Sequence, residues 1–295
     1  MNIRLIEKWI YKFSSVLGVN ACFQLWRPKH KVCILLYHDL EPEAFRTQLQ
    51  YLCTKKYHFI SLEEYTQVLY QSTKSTLPDR SVIITFDDGH KGNYALLSIF
   101  KEFKIKPVIY LCSDIIATHR MYWFQWVQDA RLKVQLKRVA NEERVSRLEA
   151  QGYNPLEEHK DRSALTLQEI KEMQAHVDFQ SHTRFHPILP KCTNEDARNE
   201  IEQSKALLEL QFNTSIQSIA YPNGNYGARE IEYVKSAGYL TGMTVEMGLN
   251  SLHADPFRLK RYAIKDTTHT YELESKLSGV ADVLYRLRRI ILKTH

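Results

Sequence analysis

Asp87 and Asp88 are adjacent carboxylates at the point where a strand gives way to a helix. Like charges so close repel, so the pair is costly unless a cation or a proton separates their roles. Taken alone, it also fits a solvated turn whose aspartate caps the next helix. His182 and His186 are four residues apart, a spacing that on one helical turn aims both imidazoles at one point. Two imidazoles and one carboxylate are a common catalytic metal set that leaves positions open for water. By itself the histidine pair fits surface or capping residues equally well. The acids at one strand end, the histidines at another and Pro222-Asn223-Gly224 at a third make a shared site the better account.

The elements that must position these residues are legible as hydrophobic runs. Val32–Tyr37, Ser81–Phe86 and Pro107–Leu111 are apolar, rich in β-branched residues and bounded by turn signals, so each reads as a buried strand. His38-Asp39 ends the first, Asp87-Asp88-Gly89 the second. Val177–Gln180, Ser215–Tyr221, Tyr239–Val245 and Leu259–Ile264 read as further strands. Helical patterns lie between them, at about 43–56, 62–71, from Asn93, 166–175, 194–211 and 227–237. Thr166 and Glu169 form a capping box for one of these. Strands alternating with helices predict parallel βα units, whose chemistry sits at the carboxyl ends of the strands. Residues 119–165 break the rhythm and read as a charged helical insertion led by Met121-Tyr122-Trp123-Phe124-Gln125-Trp126. That aromatic cluster is read as packing the insertion down, with stacking on sugar rings as the alternative.

The chain has 295 residues, 44% hydrophobic and 25% charged, which suits a globular protein with a sizeable core. Its net charge of +6 gathers at the ends. Residues 1–31 carry Arg4, Lys8, Lys12, Arg27, Lys29 and Lys31 against Glu7. The last twenty carry Lys276, Arg286, Arg288, Arg289 and Lys293 against Asp282. Such ends suit an anionic membrane surface or acidic glycans, or are ordinary basic surfaces. No nucleic-acid motif accompanies them, so no nucleic-acid partner is expected. Leu5, Ile6, Trp9, Ile10, Phe13 and Leu17 share one side of a helical wheel, a helix that either lies on a membrane or packs on the domain. A long amphipathic helix closes the chain, carrying Leu273, Leu277, Val280, Leu284, Leu287 and Ile291. Five cysteines without a CxxC pair argue for reduced thiols, with Cys33 and Cys112 in the core. No secretory h-region and no membrane-span length is present, so the expectation is a cytoplasmic chain, peripheral at the inner membrane face if its basic ends engage lipid.

Three motifs resemble those of the polysaccharide deacetylases of the NodB-homology type, a carbohydrate esterase group. Thr85-Phe86-Asp87-Asp88-Gly89 matches TFDDG, His182-Thr183-Arg184-Phe185-His186 matches H-[S/T]-x-x-H, and Tyr221-Pro222-Asn223-Gly224 is similar to R-x-P-Y-G. The resemblance spans roughly residues 32–265. It implies an α/β fold, a distorted (β/α) barrel with fewer than eight strands. It also implies that Asp88, His182 and His186 bind a divalent metal, zinc being expected. Asp87 would be the general base for the attacking water, and the backbone N–H of Asn223 would stabilise the oxyanion beside the metal. Tyr221, Pro222 and Gly224 would border the substrate. The family's late L-x-H motif is missing, His295 lacking its context. Leu36-Tyr37-His38 supplies the pattern near the start, as in permuted members, making His38 the general acid. The motif-three arginine aligns with Ala220; Arg261 is the expected replacement that steadies Asp87, with Arg258 as the alternative. D-x-x-D-W is absent, and Asp255 is the candidate to orient His38. Arg184 would meet an anionic substrate or face water.

The expected organisation is a basic amphipathic segment over 1–31, a catalytic domain over 32–270 containing the insertion, and a terminal helix over 271–295. The expected reaction is metal-dependent removal of acetyl from an N-acetylhexosamine in a glycan or lipid-linked sugar. An O-acetyl esterase, another C–N hydrolase and a non-catalytic glycan-binding relative are the alternatives.

Overall fold

Cys33–Tyr37 is five apolar residues in a row, and all five are buried because both faces of the strand are covered. This is β1 of a parallel sheet. The computed structural model describes residues 3–26, 30–71 and 77–293. Arg27, Lys29 and His295 lie outside the described residues, as do the side chains of Arg4, Leu5, Ile6, Glu7, Lys8, Arg288, Arg289, Ile291 and Lys293. The further strands are β2 (His58–Phe59), β3 (Ser81–Phe86), β4 (Val108–Leu111), β5 (Asp178–Ser181), β6 (Ser218–Ala220), β7 (Thr241–Met243) and β8 (Tyr262–Ala263).

The order is β7-β6-β5-β4-β3-β1-β8, with β2 paired to the first residues of β3. The segment before β8 reaches the opposite edge: the Leu259 N–H donates to Gly242 O, and the Thr244 N–H donates to Leu259 O. One stretch, 259–263, therefore touches both ends of the order, and the sheet curves into a distorted barrel of seven strands. Alternation along the strands sends Ile34, Ile83, Tyr110, Ala220 and Met243 into one cluster that fills the interior. Leu35, Tyr37, Ile84, Phe86 and Leu111 face outward into the larger core under the helices.

Local chemistry explains several boundaries. Thr166 and Glu169 make the expected reciprocal capping box at the helix Leu167–Met173. The helix expected from Asn93 starts as a 3-10 turn, Lys91–Leu96, before becoming α-helical over Leu97–Glu102. The insertion forms three short helices, Trp123–Trp126, Ala130–Leu136 and Asn141–Glu149, the second capped by Asp129. The single long terminal helix is corrected to two, Thr270–Ser278 and Val280–Lys293, because Gly279 turns left-handed at φ 88° and breaks the ladder. Helices Ile3–Val16 and Val19–Trp26 pack on the first of these. No disulfide joins the cysteines among the described residues, and Cys33 and Cys112 are buried. No helix among the described residues is long and apolar enough to cross a membrane.

Tyr37, Phe45, Phe86 and Phe100 interlock with ring centroids 5.3 to 5.9 Å apart and wedge the ends of β1 and β3. Phe86 immediately precedes Asp87, so this cluster fixes where the carboxylates emerge. Phe86→Ala should cost about 3–5 kcal/mol, read as a lower urea midpoint at unchanged slope; a loss under about 1 kcal/mol would deny the cluster that part.

Candidate active site

Asp87 continues the inward parity of Ile83 and Thr85 and stands at the carboxyl end of β3. Arg261 meets it in a two-point fork, Nη1 to Oδ1 and Nη2 to Oδ2, both 2.7 Å. The guanidinium is fully buried and donates further to Thr244 O and Thr85 Oγ1. Burial pushes the Asp87 carboxyl up, but Arg261 and His182 more than offset it and hold the group below its ordinary value. Asp87 is therefore a buried, ionised carboxylate with both oxygens aimed. Arg258, the alternative partner, is exposed and pairs with Asp255. Asp255 also accepts from the Phe257 N–H, so it serves its own 3-10 turn and not His38.

Asp88 Oδ1 lies 3.4 Å from His182 Nε2 and 3.4 Å from His186 Nε2. The three ligand atoms lie within 4.8 Å of one another, and all three residues are buried. Asp88 Oδ1 has no hydrogen-bond partner, a costly state for a buried carboxylate oxygen. His182 Nδ1 is 2.7 Å from Ala220 O, which places its proton on Nδ1 and leaves Nε2 as a lone pair. These features fit a divalent cation. Burial disfavours a proton on His182, yet the two carboxylates hold its pKa above the ordinary value; a cation would take that proton's place. Burial pulls His186 down to about 3, so its ring is neutral. Burial opposes the charge on Asp88 as well, but His182 and His90 hold it well below the usual range.

The histidine spacing works by a different route from the helical turn expected. Residues 182–187 form an irregular loop in which Thr183 and His186 are left-handed, at φ 68° and 56°. Glu200, on the helix Asn194–Phe212, ties that loop by accepting the N–H groups of Arg184 and Phe185 through one oxygen, at 2.8 and 3.0 Å. Burial pushes the Glu200 carboxyl up to about 7 against those two donors. Arg184 neither faces open water nor stays free for substrate: it forks onto Asp114 at 2.9 Å and reaches Gln203. Asp88 and Gly89 are left-handed too, at φ 72° and 64°. A Cβ on Gly89 would stand 2.5 Å from Leu111 Cδ2.

His38 is exposed at the end of β1. Tyr37 pairs with Phe86 in the β1–β3 register, so one further step sets His38 opposite Asp87. Asn93 Nδ2 holds the His38 carbonyl at 2.8 Å. Asn223 is left-handed in the turn after β6, and its N–H meets no backbone acceptor among the described residues. Pro222 is buried, and Gly224 is packed so closely that a Cβ would stand 2.2 Å from Val245 Cγ2. Tyr221 is corrected from a substrate contact to a support. Its ring is buried and stacked on Tyr226, and its hydroxyl donates to Phe257 O, which leaves it no surface to offer.

Residues 74–242, more than half of the chain, match the family model described as polysaccharide deacetylase. The chain belongs to the polysaccharide deacetylase family. These are hydrolases acting on carbon–nitrogen bonds. Similar proteins include YxkH of Bacillus subtilis (strain 168), provisionally named a polysaccharide deacetylase, which is 24% identical over 79% of this chain and 71% of its own length. The poly-β-1,6-N-acetyl-D-glucosamine N-deacetylase of Staphylococcus aureus (strain MSSA476) is 23% identical over 78% of this chain and 69% of its own. Among solved structures, the Streptococcus pyogenes deacetylase PplD, in complex with acetate, covers 85% of this chain and 99% of its own at TM-score 0.64 and 23% identity. IcaB from Ammonifex degensii covers 84% and 97% at 0.63 and 18%. Both structures share the fold.

The site also gathers residues that the motifs did not reveal. His90 Nε2 is 3.1 Å from Asp88 Oδ2, so the second carboxylate oxygen is occupied while the first stays aimed at the imidazoles. Its position directly after Gly89 was the available signal. The insertion aromatics pack down as expected, and they pack onto the loops that carry Asp88 and His186. Tyr122 donates to Asp88 O, Trp123 Nε1 donates to His186 O at 3.0 Å, and the Phe124 ring sits 4.8 Å from that of His186. Lys137 follows the second insertion helix and donates to Asn223 Oδ1 at 2.6 Å. Burial and Lys133 pull its pKa down, and Asp88 opposes them. Glu200 gives a pH test of the loop. Its pKa is raised on folding from roughly 4.3, so its contribution is complete below that value and fades as pH rises to about 7. Glu200→Gln should flatten that part of the stability–pH curve relative to wild type in urea melts. Glu200→Ala strands two N–H groups and should cost about 1–3 kcal/mol and weaken metal uptake.

Proposed function

We propose that this chain is a zinc-dependent N-deacetylase that removes acetyl from N-acetylhexosamine units of a glycan or a lipid-linked sugar. The observation that carries the reading is the unpartnered Asp88 Oδ1 between two histidine Nε2 atoms, beside a second carboxylate held ionised by a buried arginine fork. The Staphylococcus aureus relative, named for its action on poly-β-1,6-N-acetyl-D-glucosamine, supports the substrate class. Asp88, His182 and His186 would hold the ion, which when bound lowers the pKa of water and polarises the acetyl carbonyl.

The chain's own residues divide the remaining work. Asp87 takes the proton of the attacking water, and Arg261 keeps it ionised and fixed in rotation, so the base is ready at neutral pH. The N–H of Asn223 donates to the carbonyl oxygen as it gains charge. His38 gives a proton to the amine nitrogen as the C–N bond breaks, because an amine anion is a poor leaving group. Its exposure at the mouth of the barrel leaves it open to exchange that proton with solvent.

Acetate release from N-acetylglucosamine oligomers should stop on treatment with chelator and return with added zinc. Asp88→Asn should lose bound metal and turnover together, whereas Asp87→Asn should keep metal and lose about 10²–10⁴-fold in turnover. Normal acetate release by either purified variant would overturn the assignment. His38→Ala should slow amide cleavage far more than cleavage of an O-acetyl ester, since an alcohol leaves without full protonation; equal losses on both substrates would remove His38 from the acid role.

A further inference from the structure

The helix Ile3–Val16 turns Ser14, Ser15 and the partly buried Tyr11 inward. Ser14 and Asn20 are buried, and with Ser15 they bond to the helix Thr270–Ser278. Ser15 Oγ donates to Glu274 Oε2 at 2.5 Å, Asn20 Nδ2 donates to Glu274 Oε2 and Ser275 Oγ, and Ser14 Oγ meets Ser275 Oγ. The opposite side carries Trp9, Phe13, Val16 and Leu17, 57 to 76% exposed. Positions 9, 13, 16 and 17 fall on one stripe of a helix. A packed amphipathic helix normally turns that stripe to the core. Rolling this one over would break the bonds of Ser14 and Ser15 and set the apolar stripe against Glu274, Ser275 and the neighbouring Asn20, so the hydrogen bonds fix the stripe outward. Phe23, on the following helix, is exposed as well.

We propose that this outward stripe is a membrane-docking surface that seats on an anionic lipid bilayer. Charge selects that occupant. Residues 1–31 hold six basic residues against one acid, and Lys12 is exposed with its ammonium 5.7 Å from the centre of the Trp9 ring. A stripe of Trp, Phe, Val and Leu with Lys12 beside it, in a segment rich in basic residues, is the composition of a helix that lies in the plane of the headgroups. A second copy of this chain would bring the same positive charge to the same face and repel it. The inference stands on these helices and is independent of the chemistry of the barrel.

The full chain should float with vesicles of phosphatidylcholine mixed with phosphatidylglycerol, and far less with phosphatidylcholine alone. Phe13→Ser combined with Leu17→Ser should weaken flotation by at least about tenfold, while the melting curve stays unchanged. Lys12→Glu should weaken it by about fivefold or more, with the loss shrinking in high salt. Leu210→Ser, at an 84% exposed leucine on the helix Asn194–Phe212, should change nothing. Three results would each overturn the proposal: wild type that stays with the soluble fraction in both vesicle types, equal binding to neutral and anionic vesicles, or a solution dimer that the Phe13/Leu17 variant turns into a monomer without any vesicle binding.

Discussion

Arg261 is fully enclosed, and a guanidinium cannot shed its charge when it is buried. It must be met by an anion with matching geometry, and Asp87 supplies one through two equal contacts. The pair joins the stretch that closes the barrel to the strand that carries both acids. A buried ion pair of this kind is weak evidence for stability, since desolvation consumes much of the attraction. What it secures is position: it sets the rotation of one carboxylate and keeps it ionised, and by claiming Asp87 it leaves Asp88 for the histidines.

The neighbouring acids thus avoid the repulsion that would make them costly. Asp87 faces Arg261. Asp88 divides its two oxygens between His90 and the pair His182 and His186. Left-handed backbone makes the division geometrically available. Asp88, Thr183, His186 and Asn223 are four of the ten described non-glycine residues at positive φ, and they bring three strand ends to one place. Such conformations cost of order 1–3 kcal/mol each and persist only where surroundings hold them. Here the holders are Tyr122 and Trp123 of the insertion, Glu200 of a flanking helix and the tight contact of Gly89 with Leu111. The insertion is therefore part of the site's support and, through Lys137, part of its rim.

The sequence carried the strands, the capping box, the acids and the histidine pair, because each is a local pattern: alternation, a cap spacing, a motif of five residues. Parallel βα units were legible as well, since βα rhythm is local, while the barrel was implied by the motifs' resemblance to the family. The choice of Arg261 over Arg258, the parts of His90 and Glu200, the break at Gly279 and the burial of Tyr221 were decided by tertiary structure. Arginines three residues apart look alike in sequence; only closure of the barrel turns one into the interior and leaves the other beside Asp255. The outward stripe of the first helix is the sharpest case. Periodicity fixed that a stripe exists, while its direction depended on which polar groups of a helix more than 250 residues away were there to bond the other side.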